Sequence, residues 1–211
     1  MLFIQTLWTN PVYFCMVCLI VIFSVCVHEY FHAQMAVWEG DYTLQDHLTL
    51  NPMKQMGLMS LVMMAFFGIA WGGVPVDRSL LRRRWSMLLV SAAGPFANFV
   101  LFLTGAILLG LCSRLPLPEG NEKAMLLQFL SLFGIYNFVL LVFNLIPAPG
   151  LDGWQILASI FPKLNTISSE AVKGFMLFII LLAFFAVNFI FILGSLMVNI
   201  IAWLIAGAGA A

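Results

Sequence analysis

The sequence carries very little charge for its length. Only 9% of its 211 residues are Asp, Glu, Lys or Arg, whereas an ordinary soluble domain carries about 25%. Acidic and basic residues balance to a formal net charge of zero. This composition excludes an ordinary soluble domain. It also lacks the strongly basic character of nucleic-acid-binding proteins, so we expect no nucleic-acid partner.

Cysteine is scarce as well. The four cysteines are Cys15, Cys18, Cys26 and Cys112. Cys15 and Cys18 have the spacing of a redox or metal pair, but they lie inside an apolar run without a second pair. Buried cysteine behaves as a small hydrophobic residue. The sequence therefore excludes a disulfide framework and favours packing roles for these thiols.

Long apolar runs dominate what remains. Hydrophobic residues make up 63% of the chain and the mean hydropathy is +1.06. About 20 apolar residues in a helix cross the ~30 Å core of a bilayer. Residues 10–37, 85–111 and 124–146 each meet this length, and residues 172–205 exceed it. We predict an all-α polytopic membrane protein with about four to six transmembrane helices.

The predicted domain organisation is simple. The whole chain, residues 1–211, is expected to form one domain with its core in residues 10–162. Residues 171–205 are too long for one untilted span and short for two. We therefore expect extra C-terminal membrane helices there: a span followed by a helix that folds back or lies along the bilayer.

A different pattern follows the first span. Residues 42–50 include strand-forming residues ahead of the turn pair Asn51-Pro52. Residues 57–73 are apolar but contain four glycines, and backbone at membrane depth needs hydrogen-bond partners. We predict a re-entrant region with a small membrane-associated β-hairpin after the first core helix.

The segment His28-Glu29-Tyr30-Phe31-His32 ends the first apolar run. On a helix, residues i and i+4 share one face, so His28 and His32 can hold one metal ion while Glu29 reaches a water on that ion. Two neutral imidazoles suit zinc, which needs a third ligand and an open position for catalysis. The alternative is that these polar residues only solvate a helix end.

The third ligand has two candidates. Asp152 follows the Pro147-Ala148-Pro149-Gly150 break and is the only acid between Glu122 and Glu170. It is either a helix cap or a carboxylate that completes the metal site. His47 is the other candidate, although it stands in a polar segment where a solvated loop histidine is the more common finding.

The basic residues predict the orientation. Three spans up to residue 146 place the end of the first span and the end of the third span on one membrane side. Loops on that side hold seven basic residues, and the opposite loop holds two. The seven are Lys54, Arg78, Arg82, Arg83, Arg84, Lys163 and Lys173; the two are Arg114 and Lys123. The positive-inside rule makes the side of the histidines cytoplasmic.

Four segments together resemble the site-2 proteases, a family of intramembrane zinc metalloproteases. They are His28-Glu29-x-x-His32, Leu50-Asn51-Pro52-Met53-Lys54, Ala93-Gly94-Pro95-x-x-Asn98, and Asn144-x-x-Pro147-x-Pro149-x-Leu151-Asp152-Gly153. They follow one another in the order typical of the family. The chain has no room for the PDZ or CBS domains of many members, so it looks like a short form.

The resemblance implies a role for each matching residue. His28, His32 and Asp152 would bind Zn²⁺, and Glu29 would be the general base and acid. Asn98 and Asn144 would support the substrate or the oxyanion. The implied substrate is a transmembrane protein or peptide held in the lipid bilayer.

Two other functions remain open from the sequence. A membrane metal transporter explains the ligands but gives Glu29 no task. A catalytically inactive scaffold that binds membrane helices does not need an intact Glu29. The physiological substrate and the oligomeric state leave no signal in the sequence.

Overall fold

The computed structural model describes residues 2–116, 120–166 and 169–207. Part of the predicted loop at residues 113–123 therefore lies outside the described residues. The described α-helices are α1 (Thr6–Thr9), α2 (Pro11–Trp38), α3 (Pro52–Gln55), α4 (Gly57–Phe67), α5 (Ser86–Arg114), α6 (Asn121–Asn144), α7 (Asp152–Ile160) and α8 (Ser169–Ala206). Short 3₁₀ turns cover Phe3–Gln5, Tyr42–His47, Arg78–Leu80 and Pro162–Thr166.

Helix α2 carries the His/Glu segment, and the residues at its N-terminus explain where it begins. Asn10 caps it, because its side chain accepts the backbone N–H of Tyr13 at 3.1 Å. Pro11 occupies the first helical position, where a missing N–H costs nothing. At 1.5 Å per residue, its 28 residues extend about 42 Å.

The expectation of a multi-pass membrane protein is confirmed. Among the described residues, four helical stretches are long and apolar enough to cross a membrane. They are Pro11–Trp38, Ser86–Arg114, Asn121–Asn144 and Phe185–Ala206. The C-terminal expectation was wrong in one respect: Ser169–Ala206 is one unbroken α-helix instead of a span followed by a second helix. No proline or cluster of polar residues interrupts its backbone hydrogen bonding.

The predicted β-hairpin was wrong. The residues that the structure describes contain no β-strand. Tyr42–His47 is a 3₁₀ turn, because the buried Asp41 carboxylate accepts both the N–H and the hydroxyl of Thr43, at 3.2 and 2.5 Å. Local side-chain capping of this kind overrides a weak strand propensity.

The apolar segment after Asn51 forms a helix and an extended return. Helix α4 runs to Phe67, and residues 69–77 come back beside it without regular secondary structure. The return contacts both α3 and α4: Gly73 N–H donates to the Gln55 carbonyl of α3 at 3.1 Å, and Ser60 Oγ of α4 bonds the backbone of Trp71. We call residues 69–77 the return segment.

The return segment is fastened against α2. Asp77 N–H donates to Asp41 Oδ2 at 2.9 Å, just beyond the C-terminal end of α2. Val74 and Val76 of the return segment pack against the apolar cluster that contains Ala33 and Ala36 of α2. Apolar packing and one buried carboxylate therefore hold this segment along the helix that carries the histidines.

Helix α5 lies at the centre of the bundle. It contacts α2, α6, α7 and α8. Phe102 and Ala106 of α5 pack with Val198 of α8 in one apolar cluster. Closer to the histidines, the same helix buries Ser91 and Asn98. Thus α5 is apolar towards one end and polar where it meets the His/Glu segment.

Candidate metal centre

Three residues from two distant parts of the chain converge at the polar end of the bundle. Ligand atoms of His28, His32 and Asp152 all lie within 4.8 Å of one another. The two histidines are one turn apart on α2, and Asp152 is the first residue of α7. The structure thus brings the His/Glu segment of α2 and the start of α7 together. His47 does not join this group in the described residues.

Asp152 reaches the histidines because of how α7 begins. The chain leaves α6 at Asn144 and re-enters a helix at Asp152, after the Pro147–Pro149 break. Leu151 takes the cap position, and Asp152 Oδ2 and Oδ1 lie 3.0 and 3.2 Å from Nε2 of His28 and His32. Burial raises the pKa of the Asp152 carboxyl, whereas in the metal-free site hydrogen bonds and positive charge from protonated histidines outweigh burial and lower the pKa to about 2. The carboxylate is therefore ionised at neutral pH.

Each histidine uses its Nδ1 atom for a second bond. His28 Nδ1 donates to Asn98 Oδ1 at 2.6 Å, and His32 Nδ1 donates to the Val90 carbonyl at 2.7 Å. A proton on Nδ1 of a neutral imidazole leaves the Nε2 lone pair free to bind metal. Both histidines therefore present Nε2 towards Asp152.

The side chains present fit a zinc ion. The two Nε2 atoms are 2.9 Å apart and 3.0–3.2 Å from the carboxylate oxygens. Ligand atoms 2.0–2.1 Å from a tetrahedral zinc lie about 3.3 Å from one another. Without a cation, unprotonated nitrogens and a carboxylate this close repel each other. Three protein ligands also leave the fourth position that a catalytic zinc requires.

Gly94 gives the histidines their space. A Cβ at this position would collide with Nε2 of both His28 and His32. Gly94 lies on α5, which therefore packs directly against the metal-binding face of α2. This is the physical reason for glycine in the Gly94-Pro95-x-x-Asn98 segment: any larger residue would overlap the two Nε2 atoms.

Glu29 lies beside the three-ligand group without joining it. Only 6% of its surface is exposed. Its carboxyl group packs against Gly72 of the return segment, where an added Cβ would overlap it. Glu29, His28 and Asp152 line one cavity of about 470 Å³, and residues 70–76 form another of its walls. The cavity therefore holds a buried carboxylate beside the three possible metal ligands.

The two asparagines occupy different surroundings. Asn98 has 0% exposure and is engaged at both ends of its amide, by His28 and by Asn137. Asn144 is half-buried at the cavity wall, and its Nδ2 donates to the Leu140 carbonyl at 3.1 Å. A second N–H of the Asn144 amide remains. The substrate-support role predicted for both asparagines stays a prediction.

The sequence interpretation missed two buried polar residues. Asn137 on α6 donates to and accepts from other buried groups, and nothing in the apolar stretch around it marks a function. Ser91 lines the cavity at 2% exposure, and its hydroxyl has no partner among the described residues. Its carbonyl also loses the usual helical donor, because residue 95 is proline. The proline four residues after Ser91 is the one feature of the sequence that could have drawn attention to this residue.

A buried group of three possible metal ligands with an adjacent carboxylate, inside a bundle of membrane-length helices, fits the class of intramembrane metal-dependent hydrolases. Comparison with known proteins agrees. A model of Peptidase family M50 matches residues 117–187. "Putative zinc metalloprotease YwhC" of Bacillus subtilis (strain 168) is 34% identical over 168 residues, covering 76% of each chain. The chain belongs to peptidase family M50, the site-2 proteases.

Mycobacterial relatives carry similar names. "Putative zinc metalloprotease Rip2" of Mycolicibacterium smegmatis is 34% identical over 178 residues, which cover 78% of this chain and 65% of the relative. The Rip2 protein of Mycobacterium tuberculosis (strain H37Rv) is 32% identical over 174 residues, which cover 77% and 64%. The chain thus matches about two thirds of the length of the Rip2 proteins. No solved structure matches it significantly.

The family and the site agree on the chemistry. The protein is an intramembrane zinc metalloprotease, and its cofactor is Zn²⁺. The transporter and the inactive scaffold are not favoured, because the matched relatives carry zinc-metalloprotease names.

Proposed function

We propose that His28, His32 and Asp152 are the zinc ligands and that Glu29 is the general base and acid for peptide-bond hydrolysis. The observation that carries this proposal is the convergence of three ligand groups within 4.8 Å, with Glu29 lining the same cavity. In this arrangement three side chains hold the ion, and the carboxylate of Glu29 remains available to transfer protons.

The metal has one role in the reaction, and the protein has several. When bound, zinc supplies a Lewis acid that activates water and polarises the scissile carbonyl. Glu29 takes a proton from the attacking water and returns it to the leaving amine. Asn144 lies at the cavity wall with an amide N–H for the developing oxyanion. Such a donor is worth about 2.7–4 kcal/mol in a comparable hydrolase.

The substrate class follows from the surroundings. Helices of membrane length enclose the site, so a transmembrane segment is the substrate that can reach it. A helical substrate hides its carbonyls in its own hydrogen bonds. It must therefore unwind before hydrolysis, and the extended return segment beside Glu29 offers backbone groups that can hold an unwound stretch.

The orientation and the domain bounds are part of the same proposal. The seven basic residues named above fall between the membrane-length stretches, in residues 39–85 and 145–184, which adjoin the ends of the first and third stretches. The positive-inside rule therefore supports a cytoplasmic histidine side. Residues 10–162 form the catalytic core, because all proposed ligands fall within them. Helix α8 supports this core through its contacts with α5 and α6.

A pair of variants tests the division of labour. Asp152→Asn should remove most of the zinc measured by elemental analysis, because an amide is a poor replacement for a charged ligand. Glu29→Gln should keep zinc close to one per chain, but its rate of cleavage of a transmembrane peptide should fall by about 10²–10⁴-fold. Unchanged zinc in Asp152→Asn would overturn the ligand set, and wild-type cleavage by Glu29→Gln would overturn the mechanism.

A further inference from the structure

A chain of buried polar side chains runs from the metal site into the membrane-length helices. Ser24 on α2, Asn98 on α5 and Asn137 on α6 each have 0% exposure. Asn98 Nδ2 donates to Asn137 Oδ1 at 3.0 Å, and Asn137 Nδ2 donates to Ser24 Oγ at 2.9 Å. His28 begins the chain through its 2.6 Å bond to Asn98.

The far end of this series of hydrogen bonds determines which group donates in each of them. Asn137 Nδ2 also lies 2.9 Å from the Phe133 carbonyl, which can only accept a hydrogen bond. Asn137 must therefore present its NH₂ group there and its oxygen to Asn98. Asn98 must then present its NH₂ group to Asn137 and its oxygen to His28. Facing an oxygen, His28 must carry a proton on Nδ1.

We propose that Asn137, supported by Ser24, is a positioning residue for the metal. It prevents the Asn98 amide from turning over, and Asn98 in turn holds His28 in the tautomer whose Nε2 lone pair faces Asp152. The inference rests on the proposed role of His28 as a zinc ligand. It extends the metal site to helix α6, which contributes no ligand of its own.

The alternative is that these amides only join helices. Polar side chains commonly bond across membrane helices without any role in chemistry. A joining role predicts lower stability of the metal-free protein and an unchanged metal site. A positioning role predicts a weaker and distorted metal site, because partners behind metal-bound histidines typically contribute 10–100-fold to metal affinity or activity.

The first experiment compares Asn137→Leu with Asn199→Leu in the full chain in detergent. Asn199 is exposed on α8 and bonds only to Ser195 among the described residues, so it supplies the same substitution away from the site. We expect Asn137→Leu to bind Zn²⁺ 10–100-fold more weakly in competition with a chelator. Its Co²⁺ absorption spectrum should shift in position or intensity. Asn199→Leu should match the wild type in both measurements.

A second pair tests the tautomer itself and does not depend on Asn137→Leu folding. Asn98→Asp keeps an oxygen that accepts the hydrogen bond from His28 Nδ1. Asn98→Leu keeps neither this bond nor the bond to Asn137. We expect Asn98→Leu to lose 10–100-fold in Zn²⁺ affinity and Asn98→Asp to recover most of it.

The outcomes separate this inference from the proposed function. If Asn98→Asp binds Zn²⁺ as weakly as Asn98→Leu, the positioning role is wrong. The same holds if Asn137→Leu folds and leaves the affinity and the Co²⁺ spectrum unchanged while only thermal stability falls. Failure of the proposed function looks different, because Asp152→Asn and His28→Ala would then retain wild-type zinc.

Discussion

His28 and His32 stand one turn apart on the same helix, yet the protein holds them by different means. His32 donates to a backbone carbonyl, that of Val90, within α5. His28 donates to a side-chain amide that depends on two more side chains behind it. A backbone acceptor survives any ordinary substitution, whereas an amide can be replaced or turned. The comparison therefore predicts that the His28 side is the more easily damaged half of the site.

The largest effect should come from removing either ligand. His28→Ala and His32→Ala should both reduce zinc from one per chain to near zero and abolish cleavage, because each leaves only two protein ligands. Elemental analysis of the purified proteins measures this. Equal loss of zinc supports equal roles as ligands. Full zinc retention by one variant would show that the substituted histidine is not a ligand.

A second variant should damage both histidines together. Gly94→Ala adds a methyl group that overlaps Nε2 of His28 and of His32. We expect loss of most bound zinc and at least 10²-fold lower cleavage, since about 1 Å of misplacement has that effect. Gly174→Ala on α8 is the control, because its added Cβ meets nothing within 4 Å. Normal zinc binding by Gly94→Ala would show that α5 moves away easily.

The difference between the histidines becomes measurable at their second partners. Val90→Ala keeps the backbone carbonyl that His32 uses, although it removes two methyl groups from a fully buried side chain. Its Zn²⁺ affinity should stay within a few-fold of wild type, and its stability should fall by about 1–2 kcal/mol. In chelator competition, Asn98→Leu should instead bind Zn²⁺ 10–100-fold more weakly than the wild type. Equal affinity losses would mean that both partners act only through packing.

The smallest effect is expected at Ser91, next to the partner of His32. Its hydroxyl is buried and has no partner among the described residues, a state that costs about 1–3 kcal/mol. Ser91→Ala should therefore raise the melting temperature of the metal-free protein. Zinc content should not change, because Ser91 is not in the ligand group. A lower melting temperature would indicate that a bound water satisfies the hydroxyl.

The sequence was sufficient to predict which local residues share a face. Helix periodicity places His28 and His32 on one side of α2, whereas Asp152 was one of two candidates for the third ligand until the structure brought it beside the histidines. The direction of the Asn98 amide was not accessible, because it depends on the Phe133 carbonyl on another helix. The β-hairpin failed because one buried carboxylate, Asp41, organises residues 41–47 into a turn. Composition alone could not show that Ser169–Ala206 is one helix.

The position of His28 within α2 has a consequence for the products. His28 lies ten residues before the end of α2 at Trp38, which is about 15 Å along the helix axis. A bilayer-spanning helix needs about 20 residues. If α2 and a substrate span of about 20 residues end at the same membrane face, a cut level with His28 leaves two pieces of roughly ten residues, and neither can span the bilayer alone. One cut therefore ends the anchorage of a single-span substrate, and the fragments cannot rejoin as a membrane helix.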